Sequence, residues 1–220
     1  MEQTSRPLTL VHMGDSITFG QYIDPALCWT SIVENEVRNR LPGIPLRTHN
    51  RGISGETTRM GLERFPRDVQ ELRPDLMTLQ FGLNDCNCWE TDRGLPRVSP
   101  AAFRANLGEM IDRGRHFGAR QIVLATNHCT LKRQTMPSGE VYEEANGRYS
   151  EIIREVAAEC DTDLCDIRAA FEKLNDAELT DMLLPAPDLL HLSARGNQLY
   201  ASLILPHVIR AVESAALLVA

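Results

Sequence analysis

Pro74-Asp75-Leu76-Met77-Thr78-Leu79-Gln80-Phe81, running into Gly82-Leu83-Asn84-Asp85, is the stretch on which the fold turns. A short, mostly apolar run opened by Pro-Asp and closed by glycine is the pattern of a strand buried on both faces, as in a parallel sheet. Similar runs lie on either side of it. Leu8–Met13 and Gln121–Thr126 read as strands, with Leu46–Asn50 as a weaker one and Asp163–Ile167 as a short last one. Between them lie longer amphipathic segments. Helices are expected from Trp29 to Leu41, stopped by Pro42-Gly43, and from Thr57 to Leu72, interrupted at Pro66. Others are expected over Ala101–His116, ended by Gly118, and over Tyr142–Glu159. Helical material fills Arg168–Leu184, and a final helix starts near Ala194.

Strands alternating with helices predict an α/β protein with a doubly wound parallel sheet. The 220 residues carry no repeat, linker or low-complexity segment and read as one domain spanning 1–220. A net charge of −7 gives no general attraction to nucleic acid. No apolar run approaches the ~20 residues that span a bilayer, so no membrane partner is expected. The N-terminus lacks a basic-then-apolar secretory pattern, so a cytoplasmic location is expected. Nothing in it sets an oligomeric state. In such a chain the six cysteines are expected as reduced thiols. Cys86-Asn87-Cys88 with His128-Cys129 does not have the spacing of a zinc knuckle or ribbon, so no metal is expected.

Sheets of this kind bind ligands beyond the carboxyl ends of their strands. The loops there hold the chain's chemistry. After the first strand comes Gly14-Asp15-Ser16-Ile17-Thr18, where a serine at a strand end can expose its oxygen. Taken alone it equally fits an ordinary turn or helix cap. After the second comes Asn50-Arg51-Gly52-Ile53-Ser54-Gly55-Glu56-Thr57, whose glycines let a backbone amide approach a substrate. This is not the Gly-x-Ser-x-Gly nucleophile elbow, because the spacing fails. After the third, Asn84 can donate its side-chain amide to a developing oxyanion, or simply make an Asn-Asp turn. Near the C-terminus, Asp188-Leu189-Leu190-His191 puts a carboxylate three residues before an imidazole, where it can fix the tautomer of a general base. Its plain alternative is a helix cap. Each block alone is ordinary. Together they supply a nucleophile, a base, its orienting acid and oxyanion donors.

These four blocks, in this order, resemble those of the SGNH (GDSL-type) hydrolase superfamily, and the resemblance runs from the first strand to the last helix. It implies a three-layer α/β/α sandwich on a flavodoxin-like parallel sheet of five strands. It implies Ser16 as nucleophile, Asp188 and His191 as orienter and base, and an oxyanion hole of the Ser16 amide, Gly55 and Asn84. It implies an acyl-enzyme mechanism on an ester, without a cofactor. Ile17 stands where the GDSL name has leucine, a mild apolar exchange. Cys86-Asn87-Cys88-Trp89 is a larger departure, to which the resemblance assigns no role.

The expected substrate is a small-molecule carboxylic ester with a short acyl or acetyl group on a carbohydrate or other metabolite. Aromatic residues make up only 5% of the chain, which argues against an interfacial lipase. A thioesterase or acyltransferase would use the same triad, and a non-catalytic binding module is the remote alternative. A cysteine nucleophile at Cys86 or Cys88 would leave the Ser16 block without a purpose. Asp15, Trp89 and His128 are candidates to line the pocket. His12, His49, His116 and His207 read as structural.

Overall fold

The computed structural model of the chain describes residues 6–218. Five parallel strands form one sheet in the order β2-β1-β3-β4-β5: β1 Leu8–Gly14, β2 Leu46–Gly52, β3 Leu76–Gln80, β4 Gln121–Ala125 and β5 Asp163–Cys165. Helices follow in chain order as α1 Ser16–Phe19, α2 Trp29–Arg40, α3 Thr58–Asp68, α4 Pro100–His116, α5 Tyr142–Glu159, α6 Ile167–Phe171, α7 Asp176–Met182 and α8 Ala194–Leu217. The architecture is the doubly wound parallel sheet that the alternation of apolar runs and helical segments predicts, in the α/β/α sandwich that the resemblance implies.

Side-chain alternation along β1 explains the two cores. Leu8 and Leu10 point to one face, where α2 and α8 bury Trp29, Val33, Tyr200 and Ile204. Val11 and Met13 point to the other, under Phe65, Phe103, Met110 and Tyr149 of α3, α4 and α5. Both faces are covered, so β1 and β3 contain almost no residue that meets water.

Register places the ends of the central strands side by side. Gly14 pairs with Gly52 on one flank and with Gln80 on the other. The chain leaves β1 toward β2 and returns to β3 on the opposite side. The loops after Gly14, Gly52 and Gln80 therefore leave from one rim at the topological switch point.

Several boundaries differ from the sequence reading, and β2 runs on two residues past Asn50 to Gly52. The expected strand Asp163–Ile167 stops at Cys165, because the Asp166 carboxylate accepts from the Ala169 amide and starts α6 instead. The expected helix Arg168–Leu184 is two helices, α6 and α7. Asn175 accepts from the Ala177 and Glu178 amides while Glu178 accepts from the Asn175 amide, a capping box that restarts the helix. The expected helix Thr57–Leu72 ends at Asp68, with a single tighter turn over Gln70–Leu72 after it. Among the described residues no helix is long and apolar enough to cross a membrane.

Candidate active site

Ser16 opens α1 directly at the rim. Asp15 caps that helix, its Oδ1 accepting from the Ile17 amide at 2.9 Å, and Gly20 closes the short turn with φ +84°. Ser16 is buried apart from a narrow opening.

The loop before α8 brings the far end of the chain to the same place. Asp188 Oδ1 accepts from the amides of Leu190 (3.0 Å) and His191 (2.6 Å), and its Oδ2 lies 2.7 Å from His191 Nδ1. One carboxylate thus shapes the turn and orients the ring. The helix-cap alternative for Asp188 falls away, since Ser193 caps α8. His191 Nε2 lies 3.0 Å from Ser16 Oγ. A carboxylate only accepts, so Nδ1 carries the hydrogen and Nε2 is free to accept the serine hydroxyl. Burial pushes the Asp188 carboxyl up, but the amides of His191 and Leu190 and the His191 ring outweigh it. The carboxyl is held below its ordinary range and stays ionised.

Gly55 sits in the exposed loop after β2 with φ +79° and open space where a side chain would be. Its carbonyl accepts from Arg97 at 3.0 Å, leaving its amide unspent among the described residues. Asn84 is half-buried after β3. Its neighbour Asp85 accepts from the amide and hydroxyl of Thr58 at 2.9 and 2.5 Å, which ties the third loop to the start of α3.

Asp15 and His128 are corrected as pocket-lining residues. Both are 0% exposed, so neither presents surface to a substrate. Asp15 lies beneath the Ser16 turn. Burial pushes its carboxyl up to about 7; the Ile17 amide opposes that, the Asp85 charge adds to it, and the Gln80 and Asn84 amides oppose it further. His128 lies under the Asp188–His191 loop, its Nε2 2.8 Å from the Leu190 carbonyl. Trp89 is at the surface, 51% exposed, with the Arg97 guanidinium 4.2 Å from its ring centre.

A thiol nucleophile has no support. Cys86 and Cys88 are buried, and burial pushes the Cys86 thiol well above its usual range, away from the reactive thiolate. His12 is equally internal, its Nδ1 2.8 Å from Thr78 Oγ1.

Some contacts around the site carry no local sequence signal. Tyr22, at φ +63°, sets its ring edge-on to His191, with ring centres 5.3 Å apart. Arg64 and Arg97 reach the loops of Ser16 and Gly55 from elsewhere in the chain.

A family model for the GDSL-like lipase/acylhydrolase family matches residues 12–199, which takes in all four loops. The chain belongs to that family. This GDSL-type chain thereby stands among hydrolases that act on esters. It is 30% identical over 124 residues to esterase TesA of Pseudomonas aeruginosa, covering 56% of this chain and 57% of TesA. The match thus spans little more than half the length of that relative. With the acetylxylan esterase of Geobacillus stearothermophilus it shares 25% identity over 175 residues, covering 76% of this chain and 74% of the other. Among solved structures, the lipase/acylhydrolase from Enterococcus faecalis superposes with a TM-score of 0.72 at 25% identity, covering 92% of this chain and 96% of that one.

Proposed function

We propose that this GDSL-type chain is a serine esterase in which Ser16, His191 and Asp188 act as nucleophile, base and orienter. The observation that carries the reading is the unbroken run of contacts Asp188–His191–Ser16, at 2.7 and 3.0 Å, between residues far apart in the sequence. Ser16 Oγ attacks the ester carbonyl carbon while His191 Nε2 takes the hydroxyl proton. The carbonyl oxygen becomes an oxyanion, held by the amides of Ser16 and Gly55 and the side-chain amide of Asn84. His191 returns the proton to the departing alkoxide, leaving an acyl-serine. Water, deprotonated by the same imidazole, releases the carboxylic acid and restores Ser16.

The proposed substrate is a small ester with a short acyl group, such as an acetylated carbohydrate. The space behind Ser16 and His191, toward Asn197, does not admit a group the size of a water molecule. An acyl chain cannot be buried in that direction, and the substrate lies along the open rim. Ile53 of the β2 loop, Met60 at the start of α3, and Trp89 and Leu95 of the segment after β3 are exposed apolar side chains, and they favour a second reading with a larger apolar acyl or aryl group.

Hydrolysis of p-nitrophenyl esters graded by acyl length, with Ser16→Ala as control, tests both points. Ser16→Ala should fold normally and lose at least ~10³-fold in kcat. A rate maximum at acetate or propionate supports the short-acyl reading, and one at longer chains supports the second. A folded Ser16→Ala protein with full activity would overturn the triad.

A further inference from the structure

The bonds within the Asp188–His191 turn fix the two side chains relative to each other. They do not fix where the pair stands relative to Ser16, 175 residues away in sequence from His191. That placement comes from contacts between the turn and the body of the protein. Leu189, inside the turn, has φ +57°, a left-handed backbone costing a branched residue on the order of 1 kcal/mol. A strained turn keeps its shape only where its surroundings hold it.

The segment after β4 supplies that hold. His128 Nε2 lies 2.8 Å from the carbonyl oxygen of Leu190, and the Leu131 amide donates to the Leu189 carbonyl at 3.0 Å. A carbonyl only accepts, so the His128 hydrogen sits on Nε2. The ring is fully buried beside Phe171, and burial drops its pKa to about 4, so near neutral pH it is an uncharged donor. The segment is itself anchored to the long helix α5. Asn146 donates to the His128 carbonyl at 2.9 Å, and Glu143 accepts from the Thr130 amide at 2.9 Å and its hydroxyl at 2.6 Å.

We propose that His128 is a positioning residue, which through the Leu190 carbonyl sets the His191 ring at hydrogen-bonding distance from Ser16. The proposal rests on the roles given above to Ser16 and His191. A misplacement of about 1 Å at a reacting pair can cost on the order of 10²-fold in rate, so one buried hydrogen bond to this turn is enough to matter.

Three substitutions test it. In His128→Gln the amide nitrogen reaches about as far as Nε2 and keeps the donor. His128→Asn has the same amide but is too short to reach the carbonyl. His128→Leu removes the donor altogether. The expected result is a 10- to 100-fold fall in kcat for Asn and Leu, with KM within about threefold, and recovery by Gln to within about threefold of wild type. The low-field proton resonance of His191 Nδ1–H should stay in place in the Gln protein and shift or broaden in the Asn protein. The Gln and Asn proteins carry the same buried amide, so their comparison stands even if the Leu protein does not fold. Wild-type kcat and an unmoved resonance in the folded Asn protein would overturn the proposal, as would a loss confined to thermal stability. A fully active Ser16→Ala protein would instead defeat the triad reading on which it rests.

Discussion

Arg64, in the middle of α3, donates to the carbonyl oxygen of Gly14 at 3.2 Å, on the residue where β1 ends and the Ser16 turn begins. The same guanidinium meets Glu56 at 2.5 Å and Asp68 at 2.8 Å, and it is only 8% exposed. Glu56 directly follows Gly55. One buried cation therefore joins the turn of the proposed nucleophile to the loop of a proposed oxyanion donor.

Removing Arg64 leaves the nearly buried Glu56 carboxylate without its counter-ion, while Asp68 keeps Arg67 at 3.0 Å. Breaking a buried pair from one side costs ~3–5 kcal/mol, so Arg64→Met should lower the urea midpoint sharply. Arg64→Lys keeps the charge but not the fork that serves three acceptors, and it should fall between Met and wild type. Equilibrium unfolding of the three proteins checks the order.

Gly52 and Gly55, three residues apart, should fail in different ways when changed to alanine. A Cβ on Gly52 would stand 2.1 Å from the Phe19 amide nitrogen, so Gly52→Ala must push α1 off β2 and should lower the melting temperature by many degrees. A Cβ on Gly55 meets nothing within 4 Å. Its cost lies only in the φ of +79°, which an exposed loop can relieve by rotating. That rotation misdirects the amide, so Gly55→Ala should retain its melting temperature within a few degrees and lose ~10- to 10²-fold in kcat. Calorimetry and steady-state rates on the two variants separate the effects.

The pH dependence of stability should be set by two opposed pairs of buried groups. Burial pushes Asp15 up to about 7 and Asp85 up to about 6, from 3.8. In that window the folded state binds more protons than the unfolded one, so these two carboxyls take stability away as pH rises. Burial pushes His12 down to about 3 and His128 down to about 4, from 6.5. There the unfolded state binds more protons, so these two imidazoles take stability away as pH falls. Between about pH 4 and 6 the slopes of these four groups oppose each other, which flattens the pH dependence of the wild type. Asp15→Asn keeps the Oδ1 acceptor for the Ile17 amide but removes one titration. It should therefore lose more melting temperature on acidification from pH 6.5 to 4.5 than the wild type does. Equal slopes for the two proteins in scanning calorimetry would contradict this account.

Much of the molecule was legible in the chain, because the relevant forces act between near neighbours. The apolar run Leu76–Phe81 needs cover on both faces wherever it lies, and the helical stripes of Trp29–Leu41 and Tyr142–Glu159 supply that cover. The Asp188–His191 spacing works for the same reason: three residues span one turn, so carboxylate and ring meet without help from the rest of the fold. Even the break between α6 and α7 was written locally, in the Asn175-x-x-Glu178 capping pattern, although apolar spacing alone reads through it.

Tertiary structure decided whatever depends on segments distant in sequence. No periodicity tells that His128 turns inward beneath Leu190 while Trp89 turns outward, since both follow strands and both fit a rim loop. Nor does Arg64 advertise its reach to Gly14, because a guanidinium on an amphipathic helix is by default a solvated one. The sequence by itself determined the layered α/β architecture and the four blocks, through local pattern and spacing. Only the packed fold, which sets Gly14 between Gly52 and Gln80 and holds the Asp188–His191 turn against the segment after β4, brings His191 to 3.0 Å from Ser16. Strand register and helix packing are collective, and no single stretch of the chain encodes them.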